Sequence, residues 1–379
     1  MISHSDPKPW WHSIAPTTWR DALYRWRTSL ISDPLWQDRF ARLPVISRWA
    51  RRDGEQIFDL MMGFIHSQIL MTLVRLEVFD MLRTRPHTIG EIASQSKLEP
   101  DTAELLCRAA VAMDLFTHHR GRYGLSRKGA VILGGPGLKQ LIAHHDILYR
   151  DMGDPVAFFQ RKTKTELSQF WPYVFETRAK SDGSSATQTQ DYSELMRASL
   201  HMVATDTLEH APRRAPKKWL DVGGGSGGFA RRVAQHYPQT RVAVFDLPHT
   251  QSIEEPFVRY EGSFKSDPLP QNYDMISLIR ILYDHTDDTV RNLLQKCYHA
   301  LPDGGQILIS EPMLGAKSPT RPGDVYFATY TFAMQTGKTR SPNQVTDILH
   351  EIGYTNIRTL PSKRPFITSV IRAEKNKLR

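Results

Sequence analysis

An aspartate followed by glycines at the second, fourth and sixth positions beyond it forms the chemically most telling stretch of this 379-residue chain, Asp221-Val-Gly-Gly-Gly-Ser-Gly227. Trp219-Leu-Asp-Val222 reads as a short apolar strand entering that turn, and residues 229–237 read as the helix leaving it. Glycine lets backbone N–H groups approach a ligand at a helix N-terminus. Gly223, Gly225 and Gly228 would also satisfy the dinucleotide pattern G-x-G-x-x-G. Three observations favour a methyl donor, S-adenosylmethionine, over a dinucleotide. Asp221 heads the turn, where a carboxylate suits an ammonium and repels a pyrophosphate. Arg241-Val-Ala-Val-Phe-Asp246 is a second strand ending in an acid, placed to hold two ribose hydroxyls. Only about 150 residues follow, enough to finish one sheet and no separate catalytic domain.

The elements that position these residues follow from short apolar runs alternating with amphipathic helices, the pattern of a parallel α/β sheet. Pro256–Tyr260 predicts a third strand with Gly262-Ser-Phe264 as its loop, and Tyr273–Arg280 a fourth, running into Ile281-Leu-Tyr-Asp-His-Thr-Asp-Asp288. Gln306–Glu311 predicts a fifth, and Thr355–Leu360 with Phe366–Arg372 a closing hairpin-like pair. Ligands of open α/β sheets sit at the carboxyl ends of strands. Asp221, Asp246, Ser263, Arg280–Asp284 and Glu311 therefore converge on one crevice.

Upstream, four regions are expected: a basic arm over 1–55, a winged-helix-like module over 56–135, a helical substrate region over 136–212, and the donor-binding domain over 213–379. Residues 1–52 hold nine Lys/Arg against four Asp, which places +5 of the formal +9 there, with six of the eight tryptophans. Arg interleaved with Trp suits a lipid headgroup interface, and equally a basic arm packed on the body or on a second subunit. Residues 56–84 predict one long apolar helix, with a stripe from Ile57 to Leu76 wide enough to require burial between layers or subunits. Thr88 and Glu91 form the capping box of a further helix, residues 100–115 predict the next, and Phe116–Leu125 predict two strands joined at Arg120-Gly121, the wing. The second helix offers Glu104, Arg108 and apolar side chains in place of a base-reading face. Dimerisation is accordingly expected of this module, and a ligand-responsive DNA-binding regulator is the competing reading. The two cysteines, Cys107 and Cys297, fit a reducing cytoplasm. No run approaches the roughly 18 consecutive apolar residues of a membrane span, and the start shows no signal-peptide pattern. A cytoplasmic protein, or one peripheral on the cytoplasmic face of a membrane, is expected.

The segments LDVGGGSG, VFDLP, EGSFKSDPLP, YDMISLIRILYDHTDD, LPDGGQILISEP and TGKTRS resemble those of the small-molecule O-methyltransferases that include the caffeic acid and acetylserotonin enzymes. FDLMMGFIHSQIL, AHHDILYRDMGDPVAFF and FWPY are similar to the carotenoid branch, the hydroxyneurosporene or demethylspheroidene O-methyltransferases of phototrophic bacteria. The resemblance implies an α/β, Rossmann-like class I methyltransferase domain behind an all-helical, winged-helix dimerisation domain. It further implies a homodimer, S-adenosylmethionine as cofactor, no metal, and methylation of a tertiary hydroxyl at the end of a long polyene. A soluble phenol or polyketide is the alternative acceptor. By position, Gly223 would contact the methionine part of the donor, Asp246 the ribose, Ser263 and Phe264 the adenine, and Arg280 would line the cofactor from the fourth strand. Two departures stand out. The family's general-base histidine falls on Tyr283 and its neighbouring tryptophan on His285. Its first supporting carboxylate is matched by Glu311, but the second falls on Thr339.

The departure has a chemical sense. A phenol, with a pKa near 10, profits from a histidine base. An aliphatic tertiary alcohol is far less acidic, so its proton must leave as the C–O bond forms. Alignment can then contribute about 7–11 kcal/mol, against roughly 10²–10⁴-fold from a general base. Tyr283 can accept or relay the proton, and His285 is the nearest conventional base. Met152, Phe158, Phe159, Phe170, Trp171, Tyr326, Phe327, Tyr330 and Met334 are expected to line an apolar channel for the polyene.

Overall fold

The computed structural model describes residues 18–41, 46–170, 200–248 and 257–376. Trp10, Trp11, Trp171 and the polar run 180–190 lie outside them, as does the side chain of Phe170. The chain divides into two compact units, residues 1–72 and 73–379.

The described residues of the first unit are helical. Helix α1 (Trp19–Ser32) starts on a capping box in which Thr18 Oγ1 accepts from the Asp21 N–H at 3.2 Å and Asp21 Oδ2 accepts from the Thr18 N–H at 3.0 Å. Trp19, Leu23 and Trp26 are exposed at i, i+4, i+7 spacing, which sets them on one face of α1. Helix α2 (Pro34–Ala41) carries Trp36 beneath the Arg39 guanidinium. Helix α3 (Ile46–Arg75) opens in this unit. The single helix expected over 56–84 begins earlier and stops sooner. Glu77 adopts left-handed backbone with φ 55°, and the chain restarts as α4 (Val78–Met81). The apolar stripe splits in the same way. Leu73 and Val74 are buried, whereas Ile57, Leu60, Met61, Phe64 and Ile65 are exposed, Leu60 by 75%. Over Ser47–Arg75 the helix is long and apolar enough to cross a membrane by length and composition alone. Gly63, His66, Ser67 and Gln68 interrupt it, which is why the sequence shows no continuous apolar run.

In the second unit, α5 (Ile89–Ser96) starts on the expected Thr88/Glu91 box, and α6 (Pro100–Ala112) leads into the antiparallel hairpin β1 (Phe116–His119) and β2 (Arg122–Leu125). Arg120 and Gly121 turn it with positive φ, as a tight hairpin requires. Helices α7 (Arg127–Gly134), α8 (Leu138–Asp151), α9 (Pro155–Phe159) and α10 (Leu167–Phe170) follow. The buried Asp151 carboxylate accepts from the N–H groups of Glu166 and Leu167 at 2.6 and 3.0 Å, fastening the end of α8 to the start of α10. Residues 200–208 form α11.

The sheet runs β5 (Val258–Glu261), β4 (Arg241–Asp246), β3 (Lys218–Val222), β6 (Met275–Ile279), β7 (Gln306–Glu311), β9 (Ser369–Lys375), β8 (Tyr354–Leu360). The first five are mutually parallel, β9 enters antiparallel to β7, and β8 pairs with β9 as the expected hairpin. Alternation along each strand splits the core between two faces. Leu220, Val222, Phe245, Ile276, Leu278 and Ile307 pack with Val290, Leu293 and Leu294 of α13 (Asp287–Ala300). Trp219, Val242, Val244, Met275 and Leu308 pack with Phe229 and Val233 of α12 (Gly228–His236). Each such apolar side chain contributes about 1.5–3 kcal/mol when fully buried. The chain leaves β3 toward β4 and β5 and returns to β6 on the other side of β3. That reversal opens a crevice at the carboxyl ends of β3 and β6, where ligands of such sheets sit.

Candidate active site

The turn after β3 has left-handed backbone at Gly223, Gly225 and Gly227, with φ of 71°, 55° and 80°. Space is short at Gly223, Gly224 and Gly227. A Cβ on Gly223 would lie 2.4 Å from Ile281 Cδ1, and one on Gly224 would lie 2.5 Å from Asp221 Oδ2. A Cβ on Gly225 would meet nothing within 4 Å among the described residues, which leaves room for a ligand at that part of the turn. Asp221 lies under the turn, almost fully buried. Ser277 Oγ donates to its Oδ1 at 2.6 Å and is itself held by the Trp219 indole N–H at 2.9 Å. Asp221 Oδ2 has no hydrogen-bond partner among the described residues. Burial pushes this carboxyl up to about 7.

Asp246, at the end of β4, accepts from the Gly225 N–H at 2.5 Å through Oδ2 and from the Leu247 N–H at 2.7 Å through Oδ1. Arg259 on β5 braces the same turn, its guanidinium donating to the Gly225 carbonyl at 3.0 Å. The neighbouring loop, Gly262–Asp267, is held from below. Lys296 Nζ donates to the carbonyls of Phe264, Lys265 and Asp267 at 2.9, 2.9 and 3.0 Å, and Asp267 Oδ2 accepts from the Ser263 N–H at 2.8 Å. Room at Gly225, an acid fixed at the end of the second strand and an orphaned buried carboxylate oxygen beneath the turn fit a ribose-bearing donor with a cationic amino-acid end.

After β6 the backbone bends sharply. Arg280 is left-handed at φ 59°, a cost that a non-glycine residue bears only where its surroundings fix it. The 3-10 turn Leu282–Asp284 comes next, with Tyr283, Asp284 and His285 all buried. Glu311 at the end of β7 caps that turn: its Oε1 accepts from the N–H groups of Ile281 and Leu282, both at 2.8 Å. Its Oε2 has no hydrogen-bond partner among the described residues, and burial pushes the carboxyl up to about 8. From the other side, Arg340 donates to the carbonyls of Leu282 and His285 at 2.8 and 2.9 Å and to Asp287 Oδ1 at 2.8 Å. The Lys338 N–H donates to the Tyr283 carbonyl at 2.9 Å, and a Cβ on Gly337 would sit 2.4 Å from that oxygen. The TGKTRS segment is therefore a clamp around Tyr283. Thr339, which stands at the family's second carboxylate position, exchanges a 3.1 Å hydrogen bond with Thr331.

Tyr283 and His285 have different surroundings. His285 stacks edge-on against Phe264, with ring centroids 5.2 Å apart. Burial, with help from Lys265 and Arg340, holds its imidazole down to about 4. Tyr283 belongs to the turn against which the helix of Tyr330, Ala328–Met334, packs. The apolar cluster there joins Phe158, Leu167, Tyr330 and Met334 with the partly buried Met152, Tyr326 and Phe332. Phe159 stands at its edge, 55% exposed and edge-on to Phe158, and Phe327 packs edge-on against Tyr326. Two histidines of α8 enter this cluster: His144 Nε2 lies 2.8 Å from the Tyr330 hydroxyl and His145 Nε2 lies 2.7 Å from that of Tyr326.

Sequence reasoning gave none of His144, His145, Arg259, Lys296 or Arg340 a role in the site. The adjacent histidines carried a faint signal, since an amphipathic helix seldom turns two neighbouring imidazoles inward. The arginines and lysine carried none, because their partners are backbone atoms.

Comparison with known proteins accords with this geometry. Residues 149–355 match the O-methyltransferase domain family and residues 58–134 the O-methyltransferase dimerisation domain. The chain is 43% identical over 340 residues to the demethylspheroidene O-methyltransferase of Rhodobacter capsulatus, covering 89% of this chain and 86% of that one. It is 39% identical over 343 residues to the enzyme of that name from Cereibacter sphaeroides, covering 88% and 90%. The crystal structure of human N-acetylserotonin methyltransferase in complex with SAM superposes with a TM-score of 0.73 at 23% identity, covering 86% of this chain and 98% of that one. These matches do not favour a DNA-binding regulator. With a class I methyltransferase sheet behind a helical dimerisation domain, the chain belongs to the O-methyltransferase family.

Proposed function

We propose that this protein transfers a methyl group from S-adenosylmethionine to the tertiary hydroxyl of an acyclic hydroxycarotenoid of the demethylspheroidene type. The observation that carries this reading is the 43% and 39% identity, over nearly the whole chain, to two demethylspheroidene O-methyltransferases. A buried, aromatic acceptor region and a tyrosine where phenol-methylating relatives have a histidine support it.

The donor, when bound, supplies an electrophilic methyl carbon on a sulfonium. Asp246 would hold the ribose with lone pairs that Gly225 and Leu247 leave free, and Gly223 and Gly225 would admit the methionine part. Asp221 would answer its ammonium from beneath the turn. Phe264 and Ser263 would flank the adenine, and Arg280 would close the cofactor side of the crevice. Met152, Phe158, Phe159, Phe327, Tyr330 and Met334 would line the acceptor side. Tyr283 relays the proton as the C–O bond forms, while Glu311 fixes the turn that carries it. No side chain makes the alkoxide beforehand, since a tertiary alcohol is too weak an acid. Rate then comes mainly from alignment.

The dimerisation-domain match supports a homodimer in which a second copy covers the exposed apolar residues at the start of that domain, among them Leu60, Met61 and Phe64. The arm ahead of it, with Trp19, Leu23 and Trp26 on one face of α1, suits the surface of the cytoplasmic membrane in which a polyene dissolves. The direct test is incubation of purified protein with donor and demethylspheroidene in detergent, followed by mass spectrometry. One added methyl is expected. Methylation of a soluble phenol without reaction of the carotenoid would overturn the reading.

A further inference from the structure

A relay through Tyr283 cannot end there. A phenol that takes a proton must give one up, and among the described residues of the acceptor cluster His144 and His145 bring imidazole nitrogens to its tyrosine hydroxyls. Tyr330 is buried in that region, on the helix Ala328–Met334 that packs against the turn Leu282–Asp284 carrying Tyr283. The Tyr330 hydroxyl is 2.8 Å from His144 Nε2. Burial holds the imidazole down to about 4, so it is uncharged before the reaction, and it is still far more basic than an ether oxygen that has just gained a methyl group. His285, two residues from Tyr283, instead faces Phe264 and the cations Lys265 and Arg340.

We propose that the Tyr330–His144 pair is the terminus of the proton relay in methyl transfer, with His144 Nε2 taking the proton the acceptor loses. This rests on the O-methyltransferase reading and deepens it. The acceptor's O–H bond breaks as its oxygen bonds the methyl carbon, and the carbon–sulfur pair stays on sulfur. Each relay hydroxyl gives one proton as it takes one, so one proton leaves the acceptor and one arrives at Nε2. The positive charge that begins on sulfonium ends on imidazolium, and the site's net charge is unchanged during the step. That conservation suits an interior where a newly created charge would be costly. His144 acts through Tyr330 and is a positioning and proton-holding residue, distinct from one touching substrate.

A purely structural pair would also satisfy two buried polar groups, so the test must separate the roles. Glutamine can reach the Tyr330 hydroxyl but has no basic nitrogen to take the proton that methyl transfer releases. In His144→Gln, kcat should fall about a hundredfold while donor affinity and acceptor KM stay within about threefold of wild type. A kcat within about threefold of wild type would overturn the proposal. Should His144→Gln fail to bind donor by calorimetry, wild-type single turnovers in light and heavy water decide. A slower methyl transfer in D2O supports a proton in flight, and equal rates refute it. Wild-type turnover of the carotenoid reads the underlying function separately, so failure of either is distinguishable.

Discussion

Arg340 donates a 2.9 Å hydrogen bond to the carbonyl of His285, and the same guanidinium reaches the Leu282 carbonyl, so one buried side chain spans the turn that presents Tyr283. Replacing it by methionine roughly keeps the volume, takes the Arg340 donor from the His285 carbonyl, and leaves the Leu282 carbonyl only the His285 N–H at 3.2 Å. Arg340→Met should cost about 2–4 kcal/mol of stability, several degrees in Tm, and lower kcat more than it weakens donor binding. Thermal denaturation and steady-state kinetics check both parts, and an unchanged kcat would show the turn holding its shape without the clamp.

Asp246 is the acid to which donor affinity should be most sensitive. Asp246→Ala is expected to weaken S-adenosylmethionine binding by about 1.5–3 kcal/mol, the range for hydrogen bonds to a charged group. Calorimetry measures it directly, and NAD should show no binding in either protein. Unchanged donor affinity would remove Asp246 from the site.

For the proton, Tyr283→Phe should lower kcat about ten- to a thousandfold with donor affinity intact, and His285→Ala should cost less than about tenfold. Single-variant kinetics against the hydroxycarotenoid in detergent decide. The reverse order of effects would make His285 the base, despite its contact with Phe264.

The Glu311 carboxyl, pushed up to about 8 by burial, gives a pH signature of known sign. A carboxyl whose folded pKa lies above its unfolded value contributes stability that is full below the unfolded value. That stability is lost as pH rises through the folded one. Glu311→Gln keeps an oxygen to accept from Ile281 and Leu282 and cannot ionise. Its Tm relative to wild type should rise by at least about 2 °C between pH 5 and pH 9. A constant difference across that range would mean Glu311 is already ionised in the fold.

The arm is tested by liposome flotation with and without residues 1–52, at low and physiological salt, because the charge-dependent part must be screened. Full-length protein should float on anionic vesicles and lose part of that binding as salt rises. Equal flotation of the truncated protein would refute membrane docking by this segment.

What the sequence disclosed tracks how locally each feature is encoded. The Thr88/Glu91 box and the Arg120-Gly121 hairpin involve residues within a few positions of one another, and both appear as expected. The order of acids at strand ends was legible because parallel sheets gather those ends on one edge. The break at Glu77 was not, because nothing in an apolar period reveals one left-handed residue among helix formers. Nor was the clamp on Tyr283 legible. Arg340 lies 55 positions from His285, and its partner there is a carbonyl that every residue possesses.

Asp246 is already bonded to Gly225 and Leu247, and Lys296 already grips the loop of Phe264. On the reading proposed here, these preset contacts meet the ribose and the adenine, which methyl transfer leaves untouched. Interactions equally good before and after a reaction do nothing for its rate. They also hold the demethylated by-product as firmly as the fresh donor. Exchange of spent for new cofactor would then compete with chemistry for the turnover time, and an enzyme of this build would depend on its cell to keep S-adenosylhomocysteine scarce.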